Sequence, residues 1–117
     1  MREDVTITVG TLDRVAALAD AMRSMWLDNG VSPGSIIPDY RDEVRRFVER
    51  GAREDGLVFF LAEDGDAVVG AACCQRFAGL YPAILTPDVR RYGYLWGVYV
   101  GPDYRRAGLG RRLTERC

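Results

Sequence analysis

The chain has 117 residues, 48% hydrophobic and 28% charged, the balance of one globular domain (residues 1–117) long enough to bury a core. Its formal net charge of -1 excludes a global electrostatic pull toward nucleic acid or an acidic membrane. All its basic residues are arginine, so neither a histidine-based catalytic triad nor a lysine Schiff base can be assembled.

The first residues, Met1-Arg2-Glu3-Asp4-Val5-Thr6, lack the apolar core of a signal peptide. No uninterrupted apolar stretch reaches the roughly 20 residues that span a bilayer, and a cytoplasmic protein with reduced thiols is expected. Val5, Ile7 and Val9 alternate with polar residues over 4–10, the period of a half-buried strand. Thr11 is placed to cap the helix that follows, whose Leu12, Val15, Ala16, Leu18, Ala19, Met22, Met25 and Trp26 fall on one broad face. Asn29-Gly30 stops that helix. A Gly/Pro/Ser loop over 30–37 leads to Pro38, suited to a helix's first turn. Tyr40, Val44, Phe47 and Val48 then recur at helical spacing until Gly51.

The period changes in the second half. Residues 57–62 are a short apolar run, 63–66 a turn and 67–76 a second strand, together a hairpin. Cys73 and Cys74 are strand neighbours on opposite faces, which suits neither a disulfide nor a zinc site. No metal is expected, and both thiols are read as packing groups. A longer connection over 77–91 carries Gly79, Pro82 and Pro87. A fourth strand, over about 92–100, then runs into Gly101-Pro102-Asp103-Tyr104-Arg105-Arg106-Ala107-Gly108-Leu109-Gly110-Arg111-Arg112-Leu113. Backbone N–H groups of such a glycine loop, with the unpaired donors of the helix it opens, form an anion site. Glycine lets the backbone approach a ligand closely, and Arg105, Arg106, Arg111 and Arg112 raise the local positive potential. Phosphate or pyrophosphate suits this geometry. There is no Gly-Lys-Ser/Thr for a P-loop, and Leu113 stands where a third Rossmann glycine would be.

The run Leu95-x-x-Val98-x-Val100-x-Pro102-x-x-Arg105-x-x-Gly108-x-Gly110-x-x-Leu113 resembles the acetyl-coenzyme A motif of the GCN5-related N-acetyltransferases, the GNAT family. The resemblance implies an α/β fold of the α+β type. Its sheet would be mixed but largely antiparallel, flanked by helices, in the order strand, helix, helix, three strands, helix. It also implies acetyl-CoA as the acetyl donor. Backbone groups of Val98, Tyr99 and Val100 would then meet the pantetheine arm and thioester. The amides of Arg105, Arg106, Ala107, Gly108, Leu109, Gly110 and Arg111 would surround the pyrophosphate. The implied chemistry is direct attack of a neutral amine on the thioester, without an acetyl-cysteine. A positioned strand N–H would stabilise the developing oxyanion, a contribution of about 10²-fold or more.

Many relatives carry a glutamate on the fourth strand, two residues before the position of Val98. Trp96 stands there, so the catalytic acid and base are left unassigned. Tyr92 and Tyr94 read as packing residues, because an unperturbed phenol is a poor base at neutral pH. The resemblance places the acceptor beside 27–37 and 79–91. There Asp28 would attract a cationic amine, and Trp26 or Tyr81 would offer an aromatic face. A solvated helix-end aspartate and ordinary packing aromatics are the plainer alternative. An amine on a small molecule or a protein is the expected acceptor, with no nucleic-acid or membrane partner.

Family members continue from the glycine-loop helix into a fifth strand beside the fourth, whereas only 109–117 remains here. A domain truncated just after that helix begins is therefore expected. Its fourth strand would have an open apolar edge, making a homo-oligomer, most simply a dimer. Two alternatives stand beside the enzyme: a noncatalytic acetyl-CoA-binding module, and an inactive fragment whose arginines merely solvate a helix.

Overall fold

The alternation around Val5 and Ile7 produces a short strand, β1 (Thr6–Val9), in the computed structural model, which describes residues 5–76, 86 and 93–117. A single 3-10 turn, Leu12–Arg14, precedes the first long helix, α1 (Val15–Asp28). Thr11 does not cap that helix: its hydroxyl donates to the Asp13 carboxylate, and no side-chain cap bond forms. The second helix, α2 (Tyr40–Glu54), runs past Gly51. Leu57 explains that glycine, because its Cδ1 would lie only 2.7 Å from an added Cβ.

The hairpin forms as read, with β2 (Val58–Asp64) and β3 (Ala67–Arg76) joined through Gly65-Asp66. The strand β4 (Gly93–Val100) and the helix α3 (Leu109–Arg116) complete the described elements. The strands lie in chain order, every neighbouring pair antiparallel. The connection expected over 77–91, with Tyr81, and also Tyr92, lie outside the described residues apart from Thr86.

Strand β2 shows how the core is divided. Phe59 and Leu61 pack against α1 and α2, while Phe60 and Ala62 join Leu109 and Leu113 of α3 on the opposite face. With both faces covered, a continuous apolar run replaces alternation. The amphipathic stripe of α1 is narrower than its sequence suggests. Val15, Leu18, Ala19 and Met22 are buried, but Leu12 and Trp26 are exposed.

In β4 the alternation breaks. Trp96 and Tyr99 pack against the same α1–α2 cluster, which strict alternation forbids for residues of odd separation. Ala71 pairs with Tyr99 and Cys73 with Trp96, so Gly97 and Val98 together oppose Ala72. Gly97 takes φ +65, the backbone of a glycine bulge, and Met22 Cε would lie 2.3 Å from an added Cβ there. A lone glycine inside a strand is the sequence mark of such a bulge.

Helices α1 and α2 are clasped at Asp20. Arg41 donates to it through Nε (3.0 Å) and Nη2 (2.8 Å), and the Tyr40 hydroxyl donates at 2.7 Å. Partial burial raises the Asp20 carboxyl, but the bonds from Arg41 and Tyr40 outweigh it and hold the group below its ordinary 3.8. A carboxyl lowered on folding stabilises above its unfolded value, and that contribution fades as pH falls through the folded value. Asp20 is half exposed, so solvent screens the effect. Asp20→Asn should therefore lower the melting temperature slightly at pH 7, and the gap should close as pH falls below 3.8. Thermal melts across that range check this.

Candidate functional site

The chain leaves β4 through Gly101, whose N–H donates to the Val69 carbonyl at 2.7 Å. Pro102–Tyr104 then form one 3-10 turn, and the Tyr104 hydroxyl donates to the Asp64 carboxylate at 2.5 Å. These bonds tie the start of the loop to the β2–β3 hairpin.

Before α3 the backbone enters the left-handed region twice, at Arg106 (φ +65) and at Gly108 (φ +77). Gly108 adopts it without a Cβ clash. Arg106 is the one residue with a side chain in that region among the described residues, a conformation that costs about 1–2 kcal/mol. After these reversals, none of the amides of 106–111 donates to a backbone carbonyl among the described residues. The pattern of helix bonds resumes with Arg112 N–H to the Gly108 carbonyl at 3.0 Å. The amide of Arg105 differs from its neighbours, reaching weakly to the Pro102 carbonyl at 3.5 Å. The free donors sit at the positive end of α3, the arrangement that attracts an anion.

The two glycines of the loop serve different ends. Gly108 is needed for its backbone angle. Gly110 is not: a Cβ added there would meet Val100 Cγ2 at an ordinary 3.8 Å. No contact within the described chain requires glycine at 110, although glycine disfavours a helix by about 1 kcal/mol relative to alanine. Without a side chain, position 110 adds no bulk beside the amides of 106–111.

The loop arginines differ in how their guanidinium groups are held. Arg111 pairs with Glu115 at 3.1 Å, and Arg112 donates to the Val5 carbonyl at 3.1 Å. Arg116 reaches the Ile7 carbonyl and, with Arg112, fastens α3 to the first strand and its approach. Arg105 is bonded to Val100 and Asp28. Arg106 alone of the loop arginines has no hydrogen bond or ion pair among the described residues. Asp28, read as a lure for a cationic amine or as a solvated helix end, is the part-exposed last residue of α1 and pairs with Arg105. Positions 28 and 105 are joined only by the fold, so no local pattern signals the pair.

Of the strand residues expected at the site, Val98 lies at the bulge and is exposed, and Tyr99 packs toward α1. Val100 packs toward α3. Trp96 fills the place of a strand glutamate with packing: its ring meets Phe47 edge-on at 5.4 Å, and its N–H donates to Gln75 at 2.8 Å. Cys73 is fully buried, and burial pushes its thiol upward, away from the reactive thiolate. Among the described residues no cluster of His, Cys, Asp or Glu could hold a metal ion, and no helix is long and apolar enough to cross a membrane. A cavity of about 450 Å³ lies between α1 and the adjoining ends of β3 and β4, bordered by Asp20, Ser24, Gly70, Tyr99 and Asp103.

The model of the acetyltransferase (GNAT) family matches residues 18–117. Among curated proteins none matches. A predicted acetyltransferase from Clostridium acetobutylicum, solved with acetyl-CoA, superposes with a TM-score of 0.77 at 20% identity, over 96% of this chain and 70% of its own. A GCN5-related N-acetyltransferase from Ralstonia eutropha gives 0.72 at 18% identity, over 96% and 72%. Glucosamine-6-phosphate N-acetyltransferase from Arabidopsis thaliana gives 0.63 at 16%, over 96% and 70%. At these identities the likeness is one of fold.

The left-handed Arg106 yields a direct test of the loop's backbone. Arg106→Gly relieves the Cβ clash and is expected to hold or raise stability by up to about 1 kcal/mol, while Arg106→Val lowers it. Urea titration of the two variants measures both changes.

Proposed function

The chain belongs to the acetyltransferase (GNAT) family, and from that premise we propose that it binds acetyl-CoA where β4 meets α3 and transfers the acetyl group to a primary amine. What carries the proposal is the run of amides over 106–111 that have no partner among the described residues, with no side chain at Gly110. These amides, with the Arg106 guanidinium that is unpaired among the described residues, fit a pyrophosphate. The amides of Arg106, Ala107, Gly108, Leu109, Gly110 and Arg111 are assigned to it, with that of Arg105 at the margin.

Acetyl-CoA supplies the acetyl group as an activated thioester. The chain's part is to bind it, orient it and meet developing charge. The bulge at Gly97–Val98 interrupts the β3–β4 ladder, and β4 pairs with no strand but β3 among the described residues. Backbone groups of Val98, Tyr99 and Val100 on the outer edge are thus the donors and acceptors proposed for the pantetheine arm and the oxyanion. One positioned N–H of this kind contributes about 10²-fold or more. The acceptor is proposed to be an amine of a small molecule or a protein, with the exposed Trp26 offering an aromatic face.

Trp96 in place of a strand carboxylate favours one other reading, a single-domain acetyl-CoA-binding module without turnover. Coenzyme binding with no acetyl transfer to a panel of amines would select it.

Calorimetry with acetyl-CoA tests the loop assignment. Gly110→Glu leaves the backbone unstrained but sets a bulky carboxylate over the amides, so binding should fall by about tenfold or more. Arg112→Ala, whose guanidinium is committed to Val5, should cost far less. Equal affinity of wild type and Gly110→Glu would exclude the loop as the pyrophosphate site.

The outer edge of β4, with exposed Tyr94, Leu95 and Val98, is further proposed to pair with a second copy. Sedimentation at micromolar concentration should show a dimer, and a monomer throughout would contradict edge pairing.

A further inference from the structure

Arg105 belongs to the proposed coenzyme loop, yet its side chain bonds to groups outside that loop. Its Nε donates to the Val100 carbonyl at 2.8 Å, and its Nη2 donates to the Asp28 carboxylate at 2.7 Å. The guanidinium carbon lies 5.7 Å from the centroid of the Tyr99 ring. One planar group thus joins the last residue of β4 to the last residue of α1. Its charge also lies at the negative end of the α1 dipole, where a cation is favoured. A lysine, with its charge compact on a single ammonium, cannot reproduce the planar fork that spans both partners.

The contact immediately precedes the strained Arg106. A residue held at positive φ persists only where its surroundings over-determine it. On one side of Arg106 stands the Arg105 anchor, and on the other Leu109 is buried beneath the start of α3. Without that anchor the loop would be free to relax, and with it the amides of 106–111 that have no partner among the described residues.

We propose that Arg105 is a positioning residue, which holds the loop in its anion-binding form from the end of α1 through Asp28. The proposal rests on the coenzyme-site reading above. It differs in sign from a direct role for Arg105 as a phosphate ligand. Were the guanidinium a ligand held back by Asp28, neutralising Asp28 would release it and tighten binding. As a positioning pair, neutralising Asp28 weakens binding.

The test is acetyl-CoA affinity, by calorimetry, for Asp28→Asn, Asp28→Glu, Arg105→Gln, the double variant Asp28→Asn/Arg105→Gln, and Gly110→Glu as a control. Asp28 is 40% exposed on its side chain, so its variants should fold with melting temperatures near wild type. Asp28→Asn is expected to weaken binding about three- to fivefold, the range of one partly exposed ion pair. Asp28→Glu should recover part of the loss. Arg105→Gln should weaken binding at least as much as Asp28→Asn, and the double variant no further than Arg105→Gln alone. Unchanged or tighter binding by Asp28→Asn, or additive losses in the double variant, overturns the proposal. If Gly110→Glu still fails to bind in that case, only the Arg105 role is lost. If Gly110→Glu binds like wild type, the coenzyme loop and the Arg105 role fall together.

Discussion

Among the described residues the amides of 106–111 have no backbone partners, because the chain reverses at Arg106 and Gly108 and α3 then begins with its unpaired first-turn donors. Helix α3 therefore starts without a preceding turn to accept its first donors, and no side chain caps them. Such donors are useful to a ligand only if they do not move. Buried Leu109 and Leu113 fix α3 on the sheet, and Arg112 and Arg116 fasten it to carbonyls of Val5 and Ile7. The loop's beginning is held by Gly101 on Val69 and Tyr104 on Asp64. A strained, open backbone is thus supported at both ends by packing and hydrogen bonds.

Strand β4 links this loop to the rest of the core. Its bulge brings Trp96 and Tyr99 to the α1–α2 face while Val100 reaches the α3 face. Tyr99 in turn lies under the Arg105 guanidinium. One extra residue in a strand therefore settles which ring meets the loop. It also interrupts the ladder next to the backbone groups proposed for the thioester.

Local features were the ones legible in the sequence. The β2–β3 hairpin, the α1 stop at Asn29-Gly30 and the glycine loop each declare themselves within a few residues, through period or turn chemistry. The motif from Leu95 to Leu113 carried the family for the same reason. What the sequence hid was set by distant partners. Gly51 resembles a helix stop until Leu57 is seen against it, and Thr11 resembles a cap until its hydroxyl is found on Asp13. Arginines 105, 106, 111 and 112 look alike in a row, yet three are taken by groups outside the loop or one turn along α3. Side-chain commitment of that kind has no periodicity to read.

Backbone amide shifts in an NMR titration with coenzyme A report on the loop without altering any residue. The largest changes should fall on the amides of 106–111, moving in the direction of new hydrogen bonds, with smaller changes at Val98, Tyr99 and Val100. Saturable binding that leaves 106–111 unshifted while other amides respond would place the coenzyme elsewhere and contradict the site described.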